Sequence, residues 1–354
     1  MDKILSIKIK NGAVIAAIMV VAIHINGVPL DSICKESALW WFEAVGHWGV
    51  FGIAVPFFFV CSGYFLAKHI QEIGWHRREC RKRVYSLLVP YIAWCFIFAI
   101  LPFVVAFAAN LVHGRIAFPE LDFNRHFLVQ LLGLSPFCYP GLVPLWYIRT
   151  LLVFVIVAPI LVWLIRKLGI GFLIFVYILA LGIGLGMWLH CGRIVEFFYY
   201  FFKMEVLTYF CLGVLFRMCE TKMDIRRVKC ANRFRWFVLW LGLMLVAAST
   251  LVVRMVGQDF ANVSRVLYVP PLLLAFWQFI PEYPLPKWLI GNTFAIYLIH
   301  DVILKAMAIC HYQQVATIPQ WIIKWVIVFF ASVLAAMLLR RLLPRVSCVL
   351  FGGR

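Results

Sequence analysis

Residues 144–167 read PLWYIRTLLVFVIVAPILVWLIRK. From Thr150 to Ile165 no side chain carries a charge, and Arg166-Lys167 closes the run. At 1.5 Å rise per residue, about 20 apolar residues cross about 30 Å, the thickness of the hydrocarbon layer of a bilayer. The stretch therefore predicts a membrane-crossing helix over 144–165, with Arg149 inside it near one end. Nine further stretches read the same way, at 11–28, 48–67, 84–111, 169–189, 204–218, 236–253, 263–280, 288–308 and 320–339. The sixth in chain order, 204–218, is short, and the aromatic run from Phe197 to Phe202 before it either lies at the interface or extends the helix. The expected fold is all-α: a polytopic membrane bundle of about ten transmembrane helices, in a single domain over 1–354 with its core at about 8–343.

Composition agrees. The 354 residues are 65% hydrophobic and 14% charged, with a mean hydropathy of +0.96. Soluble domains run at about 45–50% apolar and about 25% charged. A soluble two-domain enzyme, a disordered chain and a disulfide-stapled secreted module are excluded on these figures. The eleven cysteines are scattered without a C-x-x-C pair and read as small packing residues. No cleavable signal peptide is expected, because no A-x-A-like site follows Ile25.

The net charge of +18 would point to nucleic acid in a soluble protein. Its distribution removes that reading. With the N-terminus inside, the inner segments carry 23 of the 33 basic residues and 6 of the 15 acidic ones, while the outer segments carry 9 of each. Arg149 is the remaining basic residue. A positive inner face predicts N-in and C-in, which requires an even number of spans. The longest outer segment, 112–143, contains Pro119, Pro136 and Pro140 and reads as an ordered loop placed to act as a lid.

Ionisable side chains inside spans are costly and usually face a bundle interior or a water-filled cavity. His24 lies roughly 20 Å above the inner end of span one at helical rise. His300 lies roughly 18 Å into span nine from the same side, and Arg149 roughly 8 Å below the outer edge. All three fall in one layer, with Tyr297 and Asp301 beside it. Each has a plainer reading: a hydrogen-bonded buried histidine for His24, snorkelling for Arg149, an interfacial charge for Asp301 and a packing donor for His300. No metal-ligand spacing links the histidines. A second group gathers at the inner face, where a basic loop, Arg77 to Arg83, separates spans two and three. It reads either as a topology determinant or as a site for a phosphate-bearing ligand, since guanidinium groups match phosphate oxygens.

These residues resemble a known family. The order is Val20-Val21-Ala22-Ile23-His24, then Val55-Pro56-Phe57-Phe58-Phe59-Val60-Cys61-Ser62-Gly63-Tyr64, then Lys82-Arg83 before Ser86-Leu87-Leu88-Val89-Pro90-Tyr91. Pro144-Leu145-Trp146-Tyr147-Ile148-Arg149, Phe210-Cys211-Leu212-Gly213 and Gly291-Asn292-Thr293-Phe294-Ala295-Ile296-Tyr297-Leu298-Ile299-His300 follow. Together they are similar to the acyltransferase 3 family of bacterial integral-membrane O-acyltransferases. Within it the nearest branch is the one-domain type that acetylates surface polysaccharides, as in enterobacterial common antigen O-acetylation. The resemblance implies a multi-pass protein of the bacterial inner membrane. Its activity would be transfer of an acyl group, usually acetyl, from cytoplasmic acyl-CoA to a hydroxyl of a glycan or lipid-linked glycan. It implies no permanently bound cofactor and no nucleic-acid partner. His24 matches the family's catalytic histidine, and Arg83 matches a basic position that holds the donor's phosphates. Two positions depart from the pattern. Ala13 stands where the family often has arginine, with Lys10 one turn earlier as the nearest substitute, and Ser86 replaces a second arginine.

The chemistry also follows from the residues. A thioester is already activated, so its transfer needs a base, an oxyanion stabiliser and dry positioning. His24 is the candidate base, with an unperturbed pKa near 6.5. Arg149 or Tyr297 would stabilise the oxyanion, with Asp301 orienting an imidazole and His300 in the same layer. Direct transfer and an acyl-His24 relay both remain open. Lys10, Ser62, Tyr64, Lys82 and Arg83 are the candidate donor-binding residues. The rival reading is a transporter or flippase of a glycan or amphiphilic solute, for which inverted repeats and paired broken helices would be expected.

Overall fold

The structure, a computed structural model, describes residues 3–26, 30–113, 143–220, 232–309 and 315–353. Among them no strand occurs. In chain order the α-helices are α1 (Lys3–Ile23), α2 (Ala38–Val45), α3 (Ala54–Leu66), α4 (Trp75–Arg83), α5 (Val89–His113), α6 (Leu145–Leu168) and α7 (Ile170–Trp188). They continue with α8 (Arg193–Phe197), α9 (Met204–Cys219), α10 (Asn232–Val256), α11 (Ala261–Phe279), α12 (Lys287–Ile309), α13 (Ile318–Leu342) and α14 (Pro344–Phe351). Among the described residues nine helical segments are long and apolar enough to cross a membrane. The pair Arg193–Phe202 and Met204–Cys219, bent by 41°, makes ten when counted as one span. Counted so, the aromatic run before 204 is the first arm of the sixth span.

The outward faces explain why these helices need lipid. Ile156, Ile160 and Trp163 on α6, and Ile170, Ile174 and Ile178 on α7, are exposed at helical spacing. So are Ile323, Ile327, Phe330 and Leu334 on α13. Water would tolerate no apolar surface this continuous. Lipid exerts no hydrophobic squeeze between helices, so close backbone contact must hold them. The seam between α3 and α9 provides it. A Cβ at Gly63 would stand 2.0 Å from the Phe210 carbonyl oxygen, and one at Gly213 would stand 2.0 Å from that of Val60. Two glycines of the quoted motifs therefore face each other's helix, and neither position has room for a side chain.

Several boundaries differ from expectation. Span one begins at Lys3 rather than 11, because Lys8 buries its stem and sets its ammonium over Trp277, 4.9 Å from the ring centroid, and 3.9 Å from Glu282. Asn11 then sits inside α1. Its amide donates to the carbonyls of Pro281 and Tyr283 and accepts from the Leu285 amide, tying the turn before α12 to α1. The expected basic loop before span three is helical. Arg77 to Arg83 lie on α4, which runs through a π-turn at Val84–Leu88 into α5. The wider turn falls just before Pro90, which has no N–H to donate to a regular helical ladder. Two short helices were not expected: α2, capped by Ser37 accepting from the Trp40 amide at 3.1 Å, and α14. Of the loop expected to act as a lid, residues 114–142 lie outside the described residues.

Antiparallel packing of α12 and α13 gives the bundle two distinct ends. Arg340, near the end of α13, donates to the Gly291 carbonyl near the start of α12 at 2.8 Å. Trp321 and Lys324, at the start of α13, therefore lie toward the far end of α12, past His300.

Candidate active site

At the end of the bundle where α1 begins, a cavity of about 870 Å³ opens between α1, α3, α4, α6 and α12. Its rim is basic, with Lys10, Lys68, Lys82 and Arg83 lining it. Glu79 holds two of these cations in place from one helical turn back, with carboxylate oxygens 3.9 Å from Lys82 Nζ and 3.6 Å from Arg83 Nη2. Arg83 Nε and Ser86 Oγ are buried without a hydrogen-bond partner. At the same rim His69 hydrogen-bonds Glu72, which Arg78 also contacts. These bonds hold the Glu72 carboxyl below the usual carboxylate range, so it stays anionic. The unsatisfied donors and surplus cations fit a polyanionic ligand.

Deeper in, the lining turns aromatic. Ser62 Oγ and Tyr147 OH share a hydrogen bond of 2.9 Å, and Phe58, Phe294 and Tyr297 complete the walls. Tyr297 OH donates to the Pro144 carbonyl at the start of α6. Its ring lies 6.3 Å from that of His300, one turn further along α12. His300 and His24 meet edge to face with centroids 5.1 Å apart. The depth arithmetic that put them in one layer is matched by this contact.

Their hydrogen bonds fix the tautomers. His24 Nδ1 lies 2.8 Å from the Val20 carbonyl and His300 Nδ1 lies 3.1 Å from that of Ile296. A carbonyl only accepts, so each Nδ1 carries a proton and each neutral ring presents its lone pair at Nε2. His300 Nε2 is buried and unpartnered, and Asp301 Oδ2 beside it is likewise buried and unpartnered.

Of the ten residues singled out from the sequence, Tyr297 closes the inner end of this space, and His300, His24 and Asp301 follow past it, outside its lining. Lys10, Ser62, Lys82 and Arg83 line it. Two lie elsewhere. Tyr64 turns from the cavity toward α9, where its hydroxyl donates to Glu220 at 2.8 Å and accepts from Arg217 at 2.9 Å. Arg149, which does not line the cavity, donates from Nη2 to the Tyr200 carbonyl at 2.8 Å. That carbonyl lies in the π-turn where the sixth span bends. Three residues on, Lys203 takes a left-handed conformation with φ 47° and sets its ammonium 4.2 Å from the Tyr199 ring centroid and 5.2 Å from that of Trp146. A broken span must satisfy its freed backbone groups from within the protein. Arg149 does so here.

Four lining or positioning residues had been missed. Tyr147 had a readable signal, since it and Leu151 are spaced i, i+4 and both line the cavity. Glu79 also had one, as the lone acid at i−3 and i−4 from Lys82 and Arg83. Gly352 and Gly353 had none. They follow α14 with φ of 64° and 70°, and a Cβ at Gly352 would stand 2.5 Å from the Ser86 carbonyl oxygen. Among the described residues no group of three or more His, Cys, Asp or Glu is placed to hold a metal ion.

In comparisons with known proteins, residues 14–341 match the acyltransferase 3 family, described as an acyltransferase domain. No curated protein and no solved structure matches the chain.

Proposed function

The chain belongs to the acyltransferase 3 family, and from that premise we propose that it is an O-acyltransferase using cytoplasmic acyl-CoA, with acetyl the preferred group. The acceptor is a hydroxyl of a surface polysaccharide or lipid-linked glycan. The observation that carries this reading is the continuity of one space: a basic rim at Lys82 and Arg83, an aromatic shaft, and an inner end at Tyr297 one helical turn from the paired histidines. Its volume of about 870 Å³ suits a large ligand. The phosphates of CoA dock at Lys10, Lys82 and Arg83, and the pantetheine arm follows the shaft. The positive inner face of the sequence supports N-in and C-in in a bacterial cytoplasmic membrane, with the basic rim toward the cytoplasm.

His24 Nε2 takes the proton from the acceptor hydroxyl as its oxygen attacks the thioester carbonyl. Tyr297, at the head of the shaft, turns its O–H from the Pro144 carbonyl to the developing oxyanion, and Asp301 holds the imidazolium that forms. The C–O bond forms and the C–S bond breaks. The proton then passes from His24 to the departing thiolate, leaving ester and free CoA thiol. Transport is less well supported, because one span is broken rather than a matched pair among the described residues, and aromatic rings and Arg149 occupy the break.

The test supplies labelled acetyl-CoA to membranes containing the protein and the cell's own glycans. Thiol release and labelled glycan are expected with wild type and not with His24→Ala. Equal labelling in both would defeat the mechanism.

A further inference from the structure

Past the histidine pair, on the side away from the basic cavity, a second set of polar atoms is stranded. Both amide atoms of Asn26, Oε1 of Glu43, Nε1 of Trp321 and Oδ2 of Asp301 are buried without a hydrogen-bond partner. Their residues are 6%, 3%, 1% and 5% exposed. Buried polar groups in folded proteins are almost always hydrogen-bonded, so each exception asks for a reason. Four such side chains close to one candidate base ask for a common one.

They come from four elements that converge. Asn26 lies two residues beyond His24 at the end of α1. Ile25 between them packs in one cluster with Trp321 of α13, Leu39 of α2 and Ile296 of α12. Trp321 meets Phe42 of α2 edge to face at 4.9 Å and stacks on Phe51 at 6.1 Å. Glu43, next to Phe42, has its other oxygen 3.5 Å from His47 Nδ1 and lies within electrostatic reach of Lys324, three residues after Trp321. Asp301 and His47 are each within electrostatic reach of His24. None of these four residues lines the basic cavity.

From this arrangement we infer that the four side chains form the acceptor subsite, and that the ring they receive is a neutral pyranose. The inference rests on the acyl-transfer reading and goes beyond it by naming the subsite and the charge class of the sugar. The stranded atoms offer what a polyol needs: acceptors at Glu43 and Asp301, a donor at Trp321 and one of each at Asn26. Charge selects the class. Each carboxylate is already faced by one lysine, Glu43 by Lys324 and Asp301 by Lys305. Among the described residues these two lysines match the two carboxylates, so an acidic sugar would meet Glu43 and Asp301 without a surplus lysine to receive it.

The experiment uses the full-length protein in native membranes, with labelled acetyl-CoA and the cell's own glycans. Methyl glycosides of glucose, galactose and N-acetylglucosamine serve as neutral competitors, with methyl glucuronoside as the acidic one. At least one neutral glycoside is expected to suppress glycan labelling, with glucuronoside weaker. Asn26→Leu is expected to raise the apparent KM for glycan about tenfold, the value of about 1.4 kcal/mol of lost hydrogen bonding, and to leave the KM for acetyl-CoA unchanged. Trp321→Phe keeps the ring and removes only the N–H, and is expected to raise the same KM a few-fold. Size-exclusion profiles show that both variants fold. His24-dependent labelling that no neutral glycoside suppresses, or that both folded variants perform with wild-type glycan KM, would overturn the subsite and leave the stranded atoms to water. Absence of His24-dependent labelling in wild type would overturn the acyl-transfer reading itself.

Discussion

Around the start of α1 and α12, Lys10, Lys82 and Arg83 border a cavity of about 870 Å³. Eleven residues along α1 from Ala13, roughly 16 Å at helical rise, His24 and His300 touch, and the polar atoms around them are buried without partners. The two regions spend charge differently. In the wide region a cation keeps a share of hydration, so a surplus of positive charge costs little and marks an anionic ligand. In the tight region the side chains are buried, and an unpartnered Nε2 or carboxylate oxygen there calls for a partner that the chemistry or a ligand supplies. On the proposed mechanism, one end binds donor and the other reacts. Arg149 and Lys203 show that an intramembrane charge can also serve a helix break.

The largest effect that tests this division is at His24. His24→Ala is expected to lower the turnover number by about 10²–10⁴, the range general-base catalysis supplies, while the KM for acetyl-CoA stays within twofold. Steady-state thiol release separates the two constants. A rise in KM matching the fall in turnover would show that His24 binds donor and would erase the contrast. Arg83→Gln should do the reverse. It removes a charge-assisted contact worth about 1.5–3 kcal/mol, so the donor KM should rise roughly 10- to 100-fold at nearly constant turnover. Free CoA as a competitive inhibitor should weaken in parallel. An unchanged KM would leave the basic rim as a topology signal and nothing more.

Arg149 tests the same contrast from outside both regions. Arg149→Met strips the Tyr200 carbonyl of its donor at the bend. A fall in thermal stability of about 1–3 kcal/mol is expected, with thiol release per folded molecule within about threefold of wild type. Melting curves in detergent and active-site-normalised rates check both. A loss of rate near that of His24→Ala with an unchanged melting curve would return Arg149 to the oxyanion.

The spans were legible in the sequence because crossing 30 Å of hydrocarbon is a one-dimensional requirement on composition. Counting residues from span ends was also enough to bring His24 and His300 together, since helical rise is fixed. What escaped depends on partners that no linear pattern names. The start of α1 was misplaced because Lys8 found Trp277 and Glu282. The bond from Arg149 to the Tyr200 carbonyl was not legible, because the bend at Lys203 is made by tertiary contacts. Tyr64 sat in a motif with Ser62, yet two residues along a helix differ by about 200° in direction, and only Ser62 faces the cavity. Gly63 and Gly213 were quoted as motif letters, but the demand for glycine comes from a helix contact 150 residues apart in sequence.

Gly352 gives the smallest expected effect and the sharpest view of the binding end. The family match stops at 341, yet Gly352 and Gly353 line the cavity beside Ser86, one of the two positions where the sequence departs from the family's arginine pattern. They are held there by α14, whose Leu350 carbonyl accepts from Trp94 Nε1 at 3.0 Å and whose Phe351 ring lies 5.5 Å from the Arg340 guanidinium. At φ 64° and with 2.5 Å to the Ser86 carbonyl, a Cβ at 352 forces the segment off this wall. Gly352→Val should therefore raise the donor KM about two- to fivefold, a shift of about 0.4–1 kcal/mol, with the glycan KM and turnover unchanged. An effect on turnover or on glycan instead would mean that this wall communicates with the histidine layer, and that the two regions are not separable.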